Sequence, residues 1–330
     1  MNLRTFSEYD LGNTPIYKAK VYCPSENLYL KLEMKNPNGS IKDRTGYYII
    51  KDLIQTGRLR PGIKLVESSS GNLGLALGYF AREIGVPFRC LVDPTVPQEK
   101  QEELRDSGID VHVVSLGNNP DYRTARISIA KELDNKSDWI WTNQYDNPSN
   151  FQAHFETTGP EIWSQMNGHI DYVVCSVGTG GTICGVGYYL KQQFPLLKIV
   201  AVEPMGSTIF GGTDRQYLSV GAGLRGQSGI FKKYGQLVDY YCKVEDQDSL
   251  QECVCFEKKE SFSLGVTTGS VLVVASYISK CYPDKYVIAI SPDSGVKYKN
   301  CFDEICKSKK NKFEISLNQY SHKNKFKDTK

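Results

Sequence analysis

The feature that most constrains this chain is an alternation, from about residue 28 onward, of short β-branched or aromatic runs with longer amphipathic stretches. The runs are LYLKL at 28–32, IKLVES at 63–68, FRCLVD at 88–93, VHVVS at 111–115, DYVVCSV at 171–177, KIVAVE at 198–203 and YVIAISP at 286–292. Their length and composition predict strands, and the helical apolar period between most of them predicts helices. Strand and helix in repeated alternation define an α/β protein with parallel strands and crossover helices. Spacing alone permits either an open doubly wound sheet or a closed barrel. With 330 residues the chain can bury two separate cores. The turn-forming NPSN at 147–150 marks a junction between two halves.

Charge and cysteine usage narrow the function classes. A net charge of +3 gives no concentrated basic footprint, which argues against nucleic acid as partner. Eight lysines fall between positions 307 and 330 and read as a solvated basic tail, leaving the body near neutral. The sequence opens without a signal-like apolar run and nowhere offers the roughly 18 apolar residues of a membrane helix, so no membrane association and a cytoplasmic location are expected. Ten cysteines with no CxxC pair, beside only four histidines, argue against a structural zinc site. They read as small buried hydrophobes, and no metal is expected.

Four motifs carry chemistry. Asn36-Pro37-Asn38-Gly39-Ser40-Ile41-Lys42 is a turn that opens a helix and sets Lys42 at its N-terminus. The helix dipole there disfavours the ammonium form, which suits an amine that must act as nucleophile or form a Schiff base, although a lone lysine is more often surface charge. The run at 63–68 leads through Ser68-Ser69-Ser70-Gly71-Asn72 into the helical pattern LALGYFAREI, a geometry that offers free N–H groups to an anion and that capping alone also explains. After DYVVCSV the same logic recurs in Gly178-Thr179-Gly180-Gly181-Thr182. The third glycine of a dinucleotide fingerprint would fall on Ile183, and no GK[ST] follows, so a compact phosphate monoester fits better than a nucleotide. Last come Gly265-Val266-Thr267-Thr268-Gly269-Ser270 before an apolar helix and Ser291-Pro292-Asp293-Ser294-Gly295 after the final run, each weak by itself.

Together NPNGSIKDR, SSSGN, GTGGT and ETTGPEIW at 156–163 resemble the cysteine synthase group of fold-type II pyridoxal phosphate enzymes, with matches from about Leu11 to about Tyr298. The resemblance implies a tryptophan synthase β-like fold of two α/β domains, with open, mostly parallel sheets and helices on both faces. Residues 36–145 would form a smaller mobile domain, 12–35 and 146–306 a larger cofactor-binding domain, and 307–330 a basic tail. The active site would lie in the cleft, and closure would exclude water. Lys42 would carry pyridoxal 5′-phosphate as an internal aldimine and act as the base at Cα. Gly178, Thr179, Gly180, Gly181 and Thr182 would hold the cofactor phosphate, and Asn72 its 3′-oxygen. Ser69, Ser70, Leu73 and Gln144 would bind the substrate carboxylate. Thr268 would set a hydroxyl against the pyridine nitrogen, which leaves that nitrogen unprotonated and favours loss of a β-substituent to give an aminoacrylate. A homodimer acting on small amino-acid substrates is implied.

The chain departs from ordinary cysteine synthases near the substrate. Leu73 stands where threonine is usual, Tyr145 where phenylalanine is usual, Val92-Asp93-Pro94 replaces Met-Pro-Glu, and Gly206 to Gly211 also differs. With Asn143-Gln144-Tyr145 these resemble the 2,3-diaminopropionate-forming branch of siderophore and antibiotic pathways, whose members condense O-phosphoserine with glutamate to N-(2-amino-2-carboxyethyl)-L-glutamate. Tyr145 and Arg225 are candidates for the second-substrate site. GTGGT and ETTGPEIW read as in synthases that use O-acetylserine and sulfide. A dehydratase would share the lysine and phosphate loop, and a catalytically silent member of the fold is the alternative from another class.

Overall fold

The computed structural model describes residues 3–24, 27–69, 71–219, 221–298 and 318–319. In chain order it begins with β1 (Ile16–Lys18), β2 (Leu28–Leu32), α1 (Lys42–Gln55), β3 (Lys64–Ser68), α2 (Asn72–Glu83), β4 (Phe88–Val92) and α3 (Gln98–Asp106). Next come β5 (Asp110–Val113), α4 (Tyr122–Asp134), β6 (Trp139–Trp141), α5 (Pro148–Ala153), a π-helical turn (His154–Thr158) and α6 (Gly159–Gln165). The chain continues through β7 (Tyr172–Ser176), α7 (Gly181–Gln193), β8 (Lys198–Pro204), α8 (Gly229–Tyr234), β9 (Tyr240–Val244), α9 (Asp246–Glu260), α10 (Val266–Cys281), β10 (Val287–Ser291) and β11 (Asn318–Gln319).

Two compact units divide the chain: Met1–Gly12 with Asn36–Asn150, and Asn13–Lys35 with Phe151–Lys330. The smaller unit holds a four-stranded sheet in the order β5-β4-β3-β6, with every pairing parallel. Leu65 on β3 and Ile49, Ile50, Leu53, Leu77 and Phe80 from α1 and α2 form its core. Residues near the N-terminus join this unit because Tyr9 sets its ring edge against Phe80 and Tyr47, at 5.3 and 6.0 Å between centroids. Residues 146–150 join it because Asn150 is wholly buried and bonds to Thr45 and to the Gln144 carbonyl.

The larger unit holds a seven-stranded sheet, β1-β2-β10-β7-β8-β9-β11. Its five central strands run parallel, and antiparallel β1 and β11 form the edges. Parallel strands covered on both faces need nearly continuous apolar runs, and all five residues of β10 are buried. Each sheet ends in two edge strands, so both are open and the closed-barrel alternative is removed. Four strands go beyond the seven runs read from sequence: β1, β6, β9 and β11. β6 is only three residues, too short to show a period. β9 carries Lys243, whose ammonium is satisfied by Glu203 Oε1 on the adjacent β8 at 2.9 Å. Apart from the backbone of β11, the basic tail at 307–330 lies outside the described residues.

Helices α9 and α10 pack together in this unit, and α10 carries Thr268. At the start of α9, burial and the neighbouring Glu245 push the Asp248 carboxyl up to about 6. Folded Asp248 therefore binds its proton more tightly than the unfolded chain does. The contribution of this group to stability is greatest at low pH and falls as pH rises from about 4 through 6. The helix dipole and solvent screening offset part of this penalty, so Asp248→Asn is expected to gain roughly 1 kcal/mol at pH 7.5 and nothing at pH 4. Urea midpoints at the two pH values check both halves of the expectation.

Candidate active site

In open α/β sheets ligands meet the chain where strands end and helices begin. In the smaller unit Gly39, at φ +78°, turns the chain into α1, and Lys42 is the first residue of that 14-residue helix. The Asn38 N–H donates to Asp43 Oδ2 at 2.7 Å and the Lys42 N–H to Ser40 Oγ at 3.3 Å, which fixes the entry. Ser68 ends β3 and Asn72 opens α2. Between them Ser69 Oγ accepts from the Gly74 N–H at 3.1 Å and the Gly71 N–H at 3.4 Å, so this hydroxyl caps α2. Ser70 lies outside the described residues. Leu73 is buried in the core, so any contribution it makes to binding a carboxylate falls to its backbone N–H in the first turn of α2.

Gln144 reaches the same turn: its Nε2 donates to the Ser68 carbonyl at 3.0 Å. Tyr145 beside it is buried beneath the Arg123 guanidinium, 4.9 Å from the ring centroid. The smaller unit thus brings Ser69, Asn72, Leu73, Gln144 and Tyr145 to one end of its sheet.

In the larger unit β7 ends at Ser176 and α7 begins at Gly181. Gly180 takes φ +88°, and a Cβ there would meet Phe231 atoms at 3.1 Å, so both backbone and neighbour require glycine. Thr179 is held through its carbonyl, which accepts from Ser228 Oγ at 2.6 Å. Thr182 Oγ1 lies 3.2 Å from His154 Nε2, and His154 Nδ1 lies 3.0 Å from Thr158 Oγ1. Thr268 Oγ1 pairs with Ser291 Oγ at 3.1 Å, both wholly buried. Just before the 178–182 loop the Val177 carbonyl accepts from the Gly223 N–H, and Ser219 Oγ lies 2.9 Å from Thr267 Oγ1 at the start of α10. Arg225 is half-exposed and pairs with Asp214 at 2.5 Å.

Glu67, Ser228, His154 and Ser291 carry no role in the sequence reading. Glu67 and Ser291 stand inside quoted motifs, but their partners are distant in sequence.

Each unit by itself carries groups of a kind that suits pyridoxal phosphate. At Gly178 a Cβ would come no nearer than 3.6 Å to other protein atoms, so packing does not demand glycine there; its small size keeps the N-terminus of α7 open to an anion. Thr268 and Ser291 offer buried uncharged hydroxyls to a heterocyclic nitrogen, and Lys42 offers a primary amine.

Comparison with known proteins agrees. Cysteine synthase B of Escherichia coli is 33% identical over 296 residues, covering 88% of this chain and 93% of its own length. The N-(2-amino-2-carboxyethyl)-L-glutamate synthase of Ralstonia nicotianae is 31% identical over 293 residues, covering 87% and 86%. The crystal structure of O-acetyl serine sulfhydrylase isoform 3 from Entamoeba histolytica matches with a TM-score of 0.83 at 28% identity, over 95% of this chain and 94% of that one. Among the described residues no helix is long and apolar enough to cross a membrane. The family model described as "Pyridoxal-phosphate dependent enzyme" matches residues 8–293, and this chain belongs to that family of enzymes.

Proposed function

We propose that the enzyme catalyses β-replacement on an activated L-serine, O-phosphoserine or O-acetylserine, with the amine of glutamate as the incoming nucleophile. The observation that carries the reaction class is Lys42 at the first residue of α1, in the same unit as the Ser69–Leu73 turn and Gln144. Lys42, Asn72, the 178–182 backbone and Thr268 would hold pyridoxal phosphate, which supplies, when bound, an electron sink for negative charge at Cα. The Lys42 amine takes the Cα proton. Gln144 and the N–H groups at the start of α2 orient the carboxylate, so that the Cα–H bond faces that amine. The leaving group departs from Cβ, the nitrogen of the second amino acid forms the new bond there and gives up a proton, and Lys42 returns a proton to Cα.

The choice of glutamate is supported by Leu73 and Tyr145, and by the likeness to the Ralstonia nicotianae synthase. A buried tyrosine beneath a guanidinium suits a second substrate larger than sulfide and negatively charged. Arg225 supports this less, because an anion there would compete with Asp214. With this reading go free amino acids as substrates, a homodimer and a cytoplasmic location. Sulfide is the second reading, favoured by the match to cysteine synthase B over 93% of its length.

Purified holoenzyme supplied with O-phosphoserine or O-acetylserine, and with glutamate or sulfide, decides between them by mass spectrometry of the products. The glutamate adduct is expected with at least about a tenfold advantage in kcat/KM. Cysteine alone selects the second reading, and pyruvate formed regardless of nucleophile removes both.

A further inference from the structure

The strand residue before the Ser68–Asn72 turn is Glu67, whose side chain is wholly buried. Its two oxygens take four donors, all uncharged. Oε1 accepts from the Ser68 N–H at 2.7 Å and Trp141 Nε1 at 3.1 Å. Oε2 accepts from Thr142 Oγ1 at 2.6 Å and the Gln144 N–H at 3.0 Å. Burial pushes this carboxyl up, while the four donors pull it back down. A buried carboxylate with only hydrogen bonds to satisfy it is costly unless the geometry is complete.

Its bonds continue in one direction. Gln144, whose N–H is held by Glu67, accepts at its carbonyl from Asn150 Nδ2 at 2.8 Å. Thr45 Oγ1 donates to Asn150 Oδ1 at 3.2 Å. Thr45 is three residues beyond Lys42, one turn along α1. A continuous line of side chain and backbone bonds therefore joins the end of β3, the 142–145 loop, α5 and the helix that begins at Lys42.

We infer that Glu67 is a positioning residue that locks the carboxylate-binding loop and the Lys42 helix into one hydrogen-bonded frame. It touches no reacting atom. The inference rests on the proposed roles of Lys42 and Gln144, and it adds to them a buried acid that sets the spacing between the two.

Glu67→Gln is close to isosteric and tests this directly. With its carbonyl oxygen kept on Ser68 and Trp141, its amide places a donor against the Gln144 N–H, breaking the bond toward the loop. Hydrogen exchange of the holoenzyme should rise about tenfold over residues 142–150 and at the start of α1, while β4 keeps its protection. KM for the activated serine that the wild type accepts should rise about tenfold, with kcat within about threefold and cofactor content unchanged. Thr45→Val cuts the far end of the line, and its effect on KM should be non-additive with that of Glu67→Gln. Unchanged exchange over 142–150, exchange that rises equally in β4, or strict additivity would overturn the inference. If the wild type turns over neither activated serine, the functional reading fails instead, and the exchange measurement still decides the frame.

Discussion

Lys42→Ala is expected to lower β-replacement by at least about 10³-fold in kcat/KM, because the amine proposed to take the Cα proton is gone. It should also remove the visible absorption that pyridoxal phosphate acquires when joined to a lysine. Two other lysines of the same unit are committed elsewhere. Lys51 lies over the Tyr48 ring at 5.1 Å, and Lys64 pairs with Asp138 at 3.0 Å. The proposed phosphate-binding loop at 178–182 is untouched by the substitution, so the cofactor should still bind, more weakly and without that absorption. Spectra of the wild type and variant at equal cofactor loading check this, and persistence of the band would overturn the assignment.

The second large effect concerns stability. Gly269 follows Thr268 on α10, where that helix crosses α9 with no space between them. A Cβ at 269 would sit 2.0 Å from the Ser249 carbonyl oxygen and 2.6 Å from Cys253 Sγ. The backbone atom of α9 cannot yield without moving its helix. Ser249 Oγ and Ser270 Oγ, 2.7 Å apart, are part of the same contact. Overpacking of this kind is expected to cost about 3 kcal/mol in Gly269→Ala. For a unit of this size that lowers Tm by roughly 6–12 °C, measurable by calorimetry. A fall of less than about 2 °C would mean that α9 and α10 separate freely.

Much of the fold was legible because parallel strands buried on both faces must be nearly continuous apolar runs, as in KIVAVE and YVIAISP. β6 was hidden by its length of three residues, and β9 by a lysine whose charge is answered by a carboxylate on the neighbouring strand. The turn at 178–182 was visible because Gly180 needs a left-handed backbone, a demand that the residue type itself announces. The pairing of Thr268 with Ser291 was not, since a hydroxyl in either motif looks like a helix cap until β10 and α10 lie side by side. Glu67 was opaque for the same reason. Its donors Trp141, Thr142 and Gln144 come from another strand and the loop after it, so a single acid at a strand end carries no local mark. Arg225 shows the converse: a cation noticed in sequence is occupied by Asp214, a partner the sequence did not suggest.

The order of strands in the larger sheet also bears on how the chain is made. β10 lies between β2 and β7, so the sheet has a gap at its middle until residue 291 has been synthesised. At typical rates of translation, β2 waits roughly 13–50 s for its parallel neighbour. The smaller sheet needs nothing beyond β6 and can close soon after residue 150 emerges. During that interval β2 and β7 each present an unpaired edge. A ribosome pause placed just before β10 would lengthen the time in which those edges can pair wrongly.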